Sequence, residues 1–282
     1  MKNKTIGIIG NGLMGKGIAQ VFANNGHKVL LFGRRAGFGV EVENYLRHEQ
    51  KQERLSKEEF ESIMNNLSFC SIVEDLCSIS SLDVVIETVA EDREVKRNIF
   101  SSISNYLNDS AIVATNTSSM SVTELGSFVN KPERFLGLHF FSPVPMMDLV
   151  EVVKGLRTDD YTVEKALELM EGISKTAFVV VDSPGFVLNR MLVPMINEAV
   201  LLYWEYYRGR PEVIDEIMKK GMNLKVGPLK LADLVGIDVI YHSMKSIYDL
   251  TLDPKYRPCN GLKQMISAGF TGKKAGKGFY EY

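Results

Sequence analysis

The apolar residues of this chain fall into two patterns, one after the other. Through the first two-thirds, short apolar runs alternate with stretches of helical periodicity. The runs cover residues 5–9, 28–32, 84–87, 111–114, 135–139 and 178–181. They are β-branched or aromatic and mostly apolar on both faces, which predicts strands covered by helices on two sides. Between them, residues 13–25 and 94–107 carry apolar positions at helical spacing. Alternation of this kind predicts a doubly wound α/β fold with a mostly parallel sheet.

The pattern changes near Asp182-Ser183-Pro184-Gly185. Beyond that point, residues 187–207, 211–222 and 229–250 all read as helix. Ser183 is a candidate N-cap, with Pro184 in the first turn. The boundary falls at residue 183. It separates residues 1–183, a dinucleotide-binding domain, from residues 184–282, an all-helical domain for substrate binding and dimerisation. No Ser/Gly linker intervenes, so the two parts are expected to pack tightly. Leu201, Leu202, Trp204 and Tyr207 offer more apolar and aromatic surface than a small helical domain easily buries, which predicts a homodimer.

Composition narrows the class. The chain has 282 residues, 45% hydrophobic and 24% charged, so it is neither disordered nor fibrous. Lys+Arg is 33 against Asp+Glu 35, a net charge of -2, with no global attraction to nucleic acid or anionic lipid. No stretch approaches the roughly 20 apolar residues a membrane span needs. The opening MKNKTIGIIGNG reads as a strand and not as a signal peptide. A cytoplasmic protein without membrane or nucleic-acid partners is expected. Cys70, Cys77 and Cys259 are too few and scattered for a disulfide framework and lack zinc-ligand surroundings, so no metal is expected.

Gly10-Asn11-Gly12-Leu13-Met14-Gly15 fits G-x-G-x-x-G, between a predicted strand and a predicted helix. That context is what a Rossmann-type dinucleotide site requires. Gly10 would make the tight turn, Gly12 would let a pyrophosphate approach, and Gly15 would let helix and strand pack. The N–H groups at the helix start, at Leu13 and Met14, favour phosphate charge. A turn that needs small residues only for packing is the alternative. The second strand should end in an acid that binds the ribose hydroxyls, but it runs into Gly33-Arg34-Arg35. An arginine can grip a 2′-phosphate bidentately, which favours NADP over NAD. Alternatively these arginines form a solvated loop and the cofactor is still NAD.

Candidate chemistry stands at the ends of the apolar runs: Asn116-Thr117-Ser118-Ser119, His139 in HFFSP, Glu151 in LVEVV, and Asn189 in PGFVLNR. Ligands of open α/β sheets bind at the carboxyl ends of strands, so Ser118 and His139 would share one edge. Each residue also has a plainer reading. A lone strand-end His is commonly structural, and Glu151 could be a charge on a strand. Asn189 could satisfy backbone groups, and Ser118 could cap a helix over 122–128. His27, His48 and His242 lack such surroundings and read as structural or surface. Met146 and Met147 suit an apolar substrate slot or plain core equally.

The motifs GNGLMGKGIAQ, ATNTSSMSVTEL, GLHFFSPVPMMDLVEVVKG, DSPGFVLNRMLVPMINEAV, VGPLKLADLVGID and GKKAGKGFYEY resemble, nearly end to end, the 3-hydroxyacyl-CoA dehydrogenase family. Its bacterial 3-hydroxybutyryl-CoA members are the nearest in character. The resemblance implies an oxidoreductase of fatty-acid and butanoate metabolism, interconverting short-chain 3-hydroxyacyl and 3-ketoacyl thioesters with NAD(P). It implies that His139 is the catalytic acid/base, Glu151 its partner, and Ser118 and Asn189 donors to the reacting oxygen. It further implies that Glu91, Lys96, Asn116, Ser118 and Lys274 lie around the nicotinamide nucleotide. The chemistry is coherent: alcohol oxidation needs a base as hydride leaves carbon, and histidine serves both directions. A carboxylate on its other nitrogen fixes the tautomer.

This chain departs from the family in three places. Gly33 stands at the acid position, and Ser142 replaces the Asn of HFFNP. Residues 37–57 form a short segment where the family holds the coenzyme A phosphates with a basic helical pair. Arg47, Lys51, Arg54 and Lys57 are available there, or they are a solvated helix face. Two alternatives follow. One is an acyl-carrier-protein thioester as substrate, as in polyketide extender-unit pathways. The other is a non-catalytic, crystallin-like binding protein of the same fold.

Overall fold

The apolar runs of the first unit become one sheet. In the computed structural model, which describes residues 3–35, 37–71 and 75–282 without the side chains of Leu76 and Cys77, the chain divides into two units, Met1–Asp182 and Ser183–Tyr282. The reading of Cys77 therefore lies outside the described residues, while Cys70 and Cys259 are free thiols. The strands are β1 (Thr5–Ile9), β2 (Lys28–Gly33), β3 (Leu67–Ser71), β4 (Val84–Glu87), β5 (Ile112–Thr115), β6 (Phe135–Phe140), β7 (Leu149–Lys154) and β8 (Thr176–Val181). Their order is β3-β2-β1-β4-β5-β6-β7-β8. Every neighbouring pair is parallel except β6 and β7, which run antiparallel. Strand order reverses at β1, and the crevice beyond its carboxyl end is where such sheets bind ligands.

Helices α1 (Leu13–Asn24), α2 (Gly39–Lys51), α3 (Lys57–Asn66), α4 (Arg93–Ile103), α5 (Val122–Gly126) and α6 (Asp160–Gly172) complete this unit. Ile6, Ile8, Ile18, Phe22, Leu31, Ile86 and Leu136 are fully buried in its core. Each such side chain contributes about 1.5–3 kcal/mol by leaving water. Side chains cap most of the helix starts: Ser56 with Glu59 for α3, Asp92 for α4, Ser121 for α5 and Asp159 for α6. No side chain caps α1, whose N-cap is Gly12.

Two strands have no counterpart among the predicted runs. β3 is short and partly exposed, and its polar residues give no apolar run. In β7, Glu151 interrupts the apolar pattern, yet the strand is buried. The run at 178–181 forms β8, but at the sheet's edge: Phe178, Val179 and Val181 are exposed, so it is not covered on two sides. Asp182 ties the exit from β8 back to α5, accepting from Ser121 Oγ at 2.8 Å, Val122 N at 3.0 Å and Thr123 N at 2.7 Å.

The second unit is helical throughout: α7 (Leu188–Glu205), α8 (Pro211–Met222), α9 (Pro228–Val235), α10 (Ile237–Thr251) and α11 (Asn260–Ser267). Ile196, Val200, Leu229, Ile237, Met244 and Leu262 fill its core. The single helix predicted over 229–250 is two helices, broken at Gly236 (φ 108°), a backbone angle that a helix cannot continue. Ser183 is not an N-cap: it accepts Phe186 N–H through its carbonyl in a turn, and α7 starts at Leu188. Of the side chains offered as a dimer patch, Leu201, Trp204 and Tyr207 pack against the helical core instead, and Leu202 is exposed. Two buried carboxylates pin the C-terminal segment. Asp215 accepts from Leu229 N, Lys230 N and Tyr280 OH, and Asp233 accepts from Phe279 N, Tyr280 N and Tyr282 OH. Among the described residues no helix is long and apolar enough to cross a membrane.

Candidate active site

The glycine turn is built by close approaches of backbone to backbone. Gly10 N donates to Phe32 O at 2.9 Å, tying the turn to β2. Gly10 has φ +116°, and a Cβ there would stand 2.8 Å from Thr88 O; one on Gly15 would stand 1.9 Å from Gly10 O. Packing therefore requires both glycines. Gly12 is different, since a Cβ there would meet nothing within 4 Å. The protein's own packing does not explain that glycine, whereas a group resting on the turn would. Leu13, Met14 and Gly15 open α1 beside it, and no side chain caps this helix start. These features fit a dinucleotide pyrophosphate. At the end of β2, Gly33 is followed by Arg34 and Arg35, both exposed.

At the end of β4 lies a buried ionic network that sequence reading only partly found. Glu87 is fully buried and Lys96 is 1% exposed. Lys96 Nζ bonds Glu87 Oε1 at 2.7 Å and Oε2 at 2.8 Å, and reaches Glu91 Oε2 at 3.2 Å. Thr115 Oγ1 and Val89 N also donate to Glu87. Glu91 in turn organises the loop after β5. Its Oε1 accepts from Thr117 Oγ1, from Ser118 N at 3.0 Å, from Ser119 N at 3.1 Å and from Ser119 Oγ at 2.9 Å. Burial alone would push the Glu91 carboxyl up, but Lys96 and these donors together hold it below its usual range. Ser118 is thus held through its backbone, and the cap of α5 is Ser121 and not Ser118. Glu87 was not singled out from the sequence, and Thr117 and Ser119 appeared there only as members of the stretch 116–119, without a role. An acid closing an apolar strand, as Glu87 does, is the signal that could have found the network.

β6 and β7 carry the second cluster. His139 and Glu151 are directly opposite in the antiparallel ladder. His139 Nδ1 lies 2.7 Å from Glu151 Oε2, with the residues 4% and 3% exposed. The acceptor carboxylate assigns the proton to Nδ1 and the lone pair to Nε2. The Phe141 ring packs 4.4 Å from the imidazole. Asn116 Oδ1 accepts from Phe140 N at 2.9 Å, coupling the end of β5 to the chain beside His139. Ser118, Asn116 and His139 thus share the carboxyl edge of the paired strands β5 and β6. Between β6 and β7, the chain holding Ser142 and the two methionines is clasped by Lys175. This buried residue donates from Nζ to Val144 O at 2.9 Å and Met147 O at 2.8 Å. Met146 and Met147 are exposed, which fits a contact surface better than core.

Two of the predicted site residues belong to the helical unit. Asn189 is half-buried in the first turn of α7. Lys274 pairs with Asp238 at 2.7 and 2.6 Å. In the first unit, α2 and α3 form a helical pair over the segment with the basic residues, but most of those charges are answered locally. Arg47 bonds Glu43 at 2.9 and 2.5 Å, Arg54 bonds Glu49 at 2.9 and 2.7 Å, and Lys57 lies 3.9 Å from Glu61; Lys51 is exposed.

Comparison with known proteins agrees with this architecture. Residues 5–183 match the 3-hydroxyacyl-CoA dehydrogenase NAD binding domain, and residues 185–282 match the C-terminal domain of the same family. The chain is 40% identical to a probable 3-hydroxybutyryl-CoA dehydrogenase of Bacillus subtilis, covering 100% of this chain and 98% of the relative. It is 41% identical to a 3-hydroxybutyryl-CoA dehydrogenase of Bradyrhizobium diazoefficiens, over 99% of this chain and 95% of the relative. Among solved structures, the (S)-3-hydroxybutyryl-CoA dehydrogenase of Ralstonia eutropha superposes with a TM-score of 0.90 at 38% identity, covering 100% of this chain and 99% of the other. Those matches, laid over a glycine turn at β1 and a buried imidazole–carboxylate pair on β6 and β7, place the chain in the 3-hydroxyacyl-CoA dehydrogenase family of NAD-binding oxidoreductases.

Proposed function

We propose that this protein acts in the cytoplasm as a homodimer that interconverts 3-hydroxyacyl and 3-ketoacyl thioesters by hydride exchange with a nicotinamide dinucleotide. Short-chain coenzyme A thioesters, such as 3-hydroxybutyryl-CoA and acetoacetyl-CoA, are the assigned substrates. The observation that carries this reading is the buried His139–Glu151 pair, 2.7 Å apart, on β6 and β7 of the same sheet whose β1 leads into the glycine turn. A bound nicotinamide supplies or accepts the hydride. His139 takes the alcohol proton at Nε2 during oxidation and returns it to the carbonyl oxygen during reduction. Glu151 holds the Nδ1 proton and stabilises the imidazolium that forms. Ser118 and Asn189 are assigned as donors to the substrate oxygen as charge develops on it. Glu91 acts on Ser118 by fixing its loop, and Lys96 acts by holding Glu91.

NADPH is the assigned coenzyme, because β2 ends in Gly33 and two exposed arginines follow where an acid would repel a 2′-phosphate. One assay tests both parts: oxidation of NADPH and of NADH on acetoacetyl-CoA, with His139→Gln beside the wild type. Losing the acid/base should cost about 10²–10⁴-fold in kcat. Wild-type turnover no faster than that of His139→Gln would defeat the hydride reading. A preference for NADH would defeat only the coenzyme assignment.

One observation favours a second carrier. Arg47, Arg54 and Lys57 already face Glu43, Glu49 and Glu61, so α2 and α3 offer little uncompensated charge to nucleotide phosphates. A carrier-protein thioester brings a phosphopantetheine arm without the adenine nucleotide. Turnover of one acyl group on coenzyme A and on a carrier protein separates the two readings.

A further inference from the structure

We propose that Phe38 is a specificity-determining residue for the coenzyme, because its ring occupies the space a ribose-binding acid at position 33 would need. The inference rests on the reading that a dinucleotide lies along the ends of β1 and β2. The hydrogen bond from Gly10 N to Phe32 O puts Gly33 next to the glycine turn, where dinucleotide folds selective for NAD carry their acid. A Cβ built on Gly33 would stand 2.5 Å from Phe38 Cδ1, 2.6 Å from Cε1 and 3.0 Å from Cγ. The obstruction is the body of an aromatic ring and not the tip of a flexible chain.

That ring is buried in the core. Phe38 is 5% exposed and belongs to the core cluster that includes Val42 and Leu46. Phe69 packs edge-on against it, with centroids 5.6 Å apart at 85°. Phe69 is itself close against the backbone, since a Cβ on Gly39 would lie 2.8 Å from its Cδ2. Gly33, Phe38, Gly39 and Phe69 therefore form one packed unit in which a small residue at 33 and a large one at 38 require each other. A carboxylate at 33 would have to displace a buried phenyl group. Arg34 and Arg35 follow directly, both exposed. The site thus excludes the acid sterically and offers guanidinium groups on the following residues, which suits a 2′-phosphate. Coenzyme choice is a property of the 33/38 pair and not of position 33 alone.

The test uses the full chain as wild type, Gly33→Asp, Phe38→Ala and the double variant, with kcat/KM for NADPH and NADH, coenzyme Kd by fluorescence, and melting temperature. Gly33→Asp alone is expected to melt lower and to use both coenzymes more weakly, without gaining a preference for NADH. Adding Phe38→Ala should shift the NADH-to-NADPH ratio by on the order of tenfold beyond the product of the single effects, the coupling expected of residues in contact. Gly33→Ala, which adds one uncharged methyl, guards against failure of Phe38→Ala to fold: it should melt below wild type. The proposal is overturned if Gly33→Asp alone confers NADH use at wild-type stability, or if Gly33→Ala melts with the wild type. A wild type that prefers NADH would reject the NADPH assignment, while the melting and coupling results would still decide the packing claim.

Discussion

His139 could be read from its surroundings in the sequence, because a polar ring closing an apolar run stands out. Its partnership with Glu151 could be read only through resemblance, since what makes them neighbours is antiparallel register, and LVEVV does not announce its pairing. Glu91 shows the same limit more sharply. The sequence places it near the site, but its four donors on residues 117–119 are a product of loop geometry. Lys96 and these donors hold its folded carboxyl below the ordinary glutamate range, so the stability it contributes is complete above the unfolded value and is lost as pH falls through the folded one. Glu91→Gln should therefore melt below wild type at pH 7, with the gap closing as the pH is taken below 4.5. Thermal unfolding across that range checks it, and a gap independent of pH would contradict it.

At the scale of elements, strands that form an unbroken apolar run were legible, whether buried like β1 and β4 or exposed like β8, and strands that break the run were not. β1 and β4 form where their apolar runs stand, because nothing but burial decides them. β3 lacks an apolar run, and β7 carries a buried acid in its middle, so each breaks the pattern by which strands are recognised. A helical pattern runs through Gly236, but its positive φ ends one helix and begins another. The clasp by Lys175 was invisible for a different reason: a buried lysine bonding two carbonyls has no periodicity at all. It holds the connection between the strands that carry His139 and Glu151. Lys175→Met should cost about 1–3 kcal/mol for each carbonyl left buried without a donor. Denaturant unfolding measures this, and Lys175→Arg should recover part of it. Wild-type stability in Lys175→Met would remove the clasp from the account.

For the whole molecule, the sequence pattern changes from alternating to helical near residue 183, and the structure divides into units Met1–Asp182 and Ser183–Tyr282. The sequence also marked the C-terminal GKGFYEY as distinctive without showing why. Asp215 and Asp233 supply the reason by pinning that segment, and burial pushes the Asp233 carboxyl up even against the donors it accepts. Self-association is argued on different side chains from those first proposed. Trp204 and Tyr207 pack into the helical core, whereas Met191, Ile217, Met222 and Leu252 of the same unit are exposed. These exposed side chains are the ones offered to a partner copy, and sedimentation at micromolar protein should give a dimer. A monomer alone would remove it.

The central claim is that His139 and Glu151 act as one proton-handling unit. The most direct measurement is a double-mutant cycle on acetoacetyl-CoA reduction with His139→Gln, Glu151→Gln and both together. If the carboxylate works only through the imidazole, the double variant should be no slower than His139→Gln alone, since members of one catalytic unit are strongly non-additive. Losses that multiply, or a His139→Gln enzyme that keeps wild-type turnover, would contradict the account.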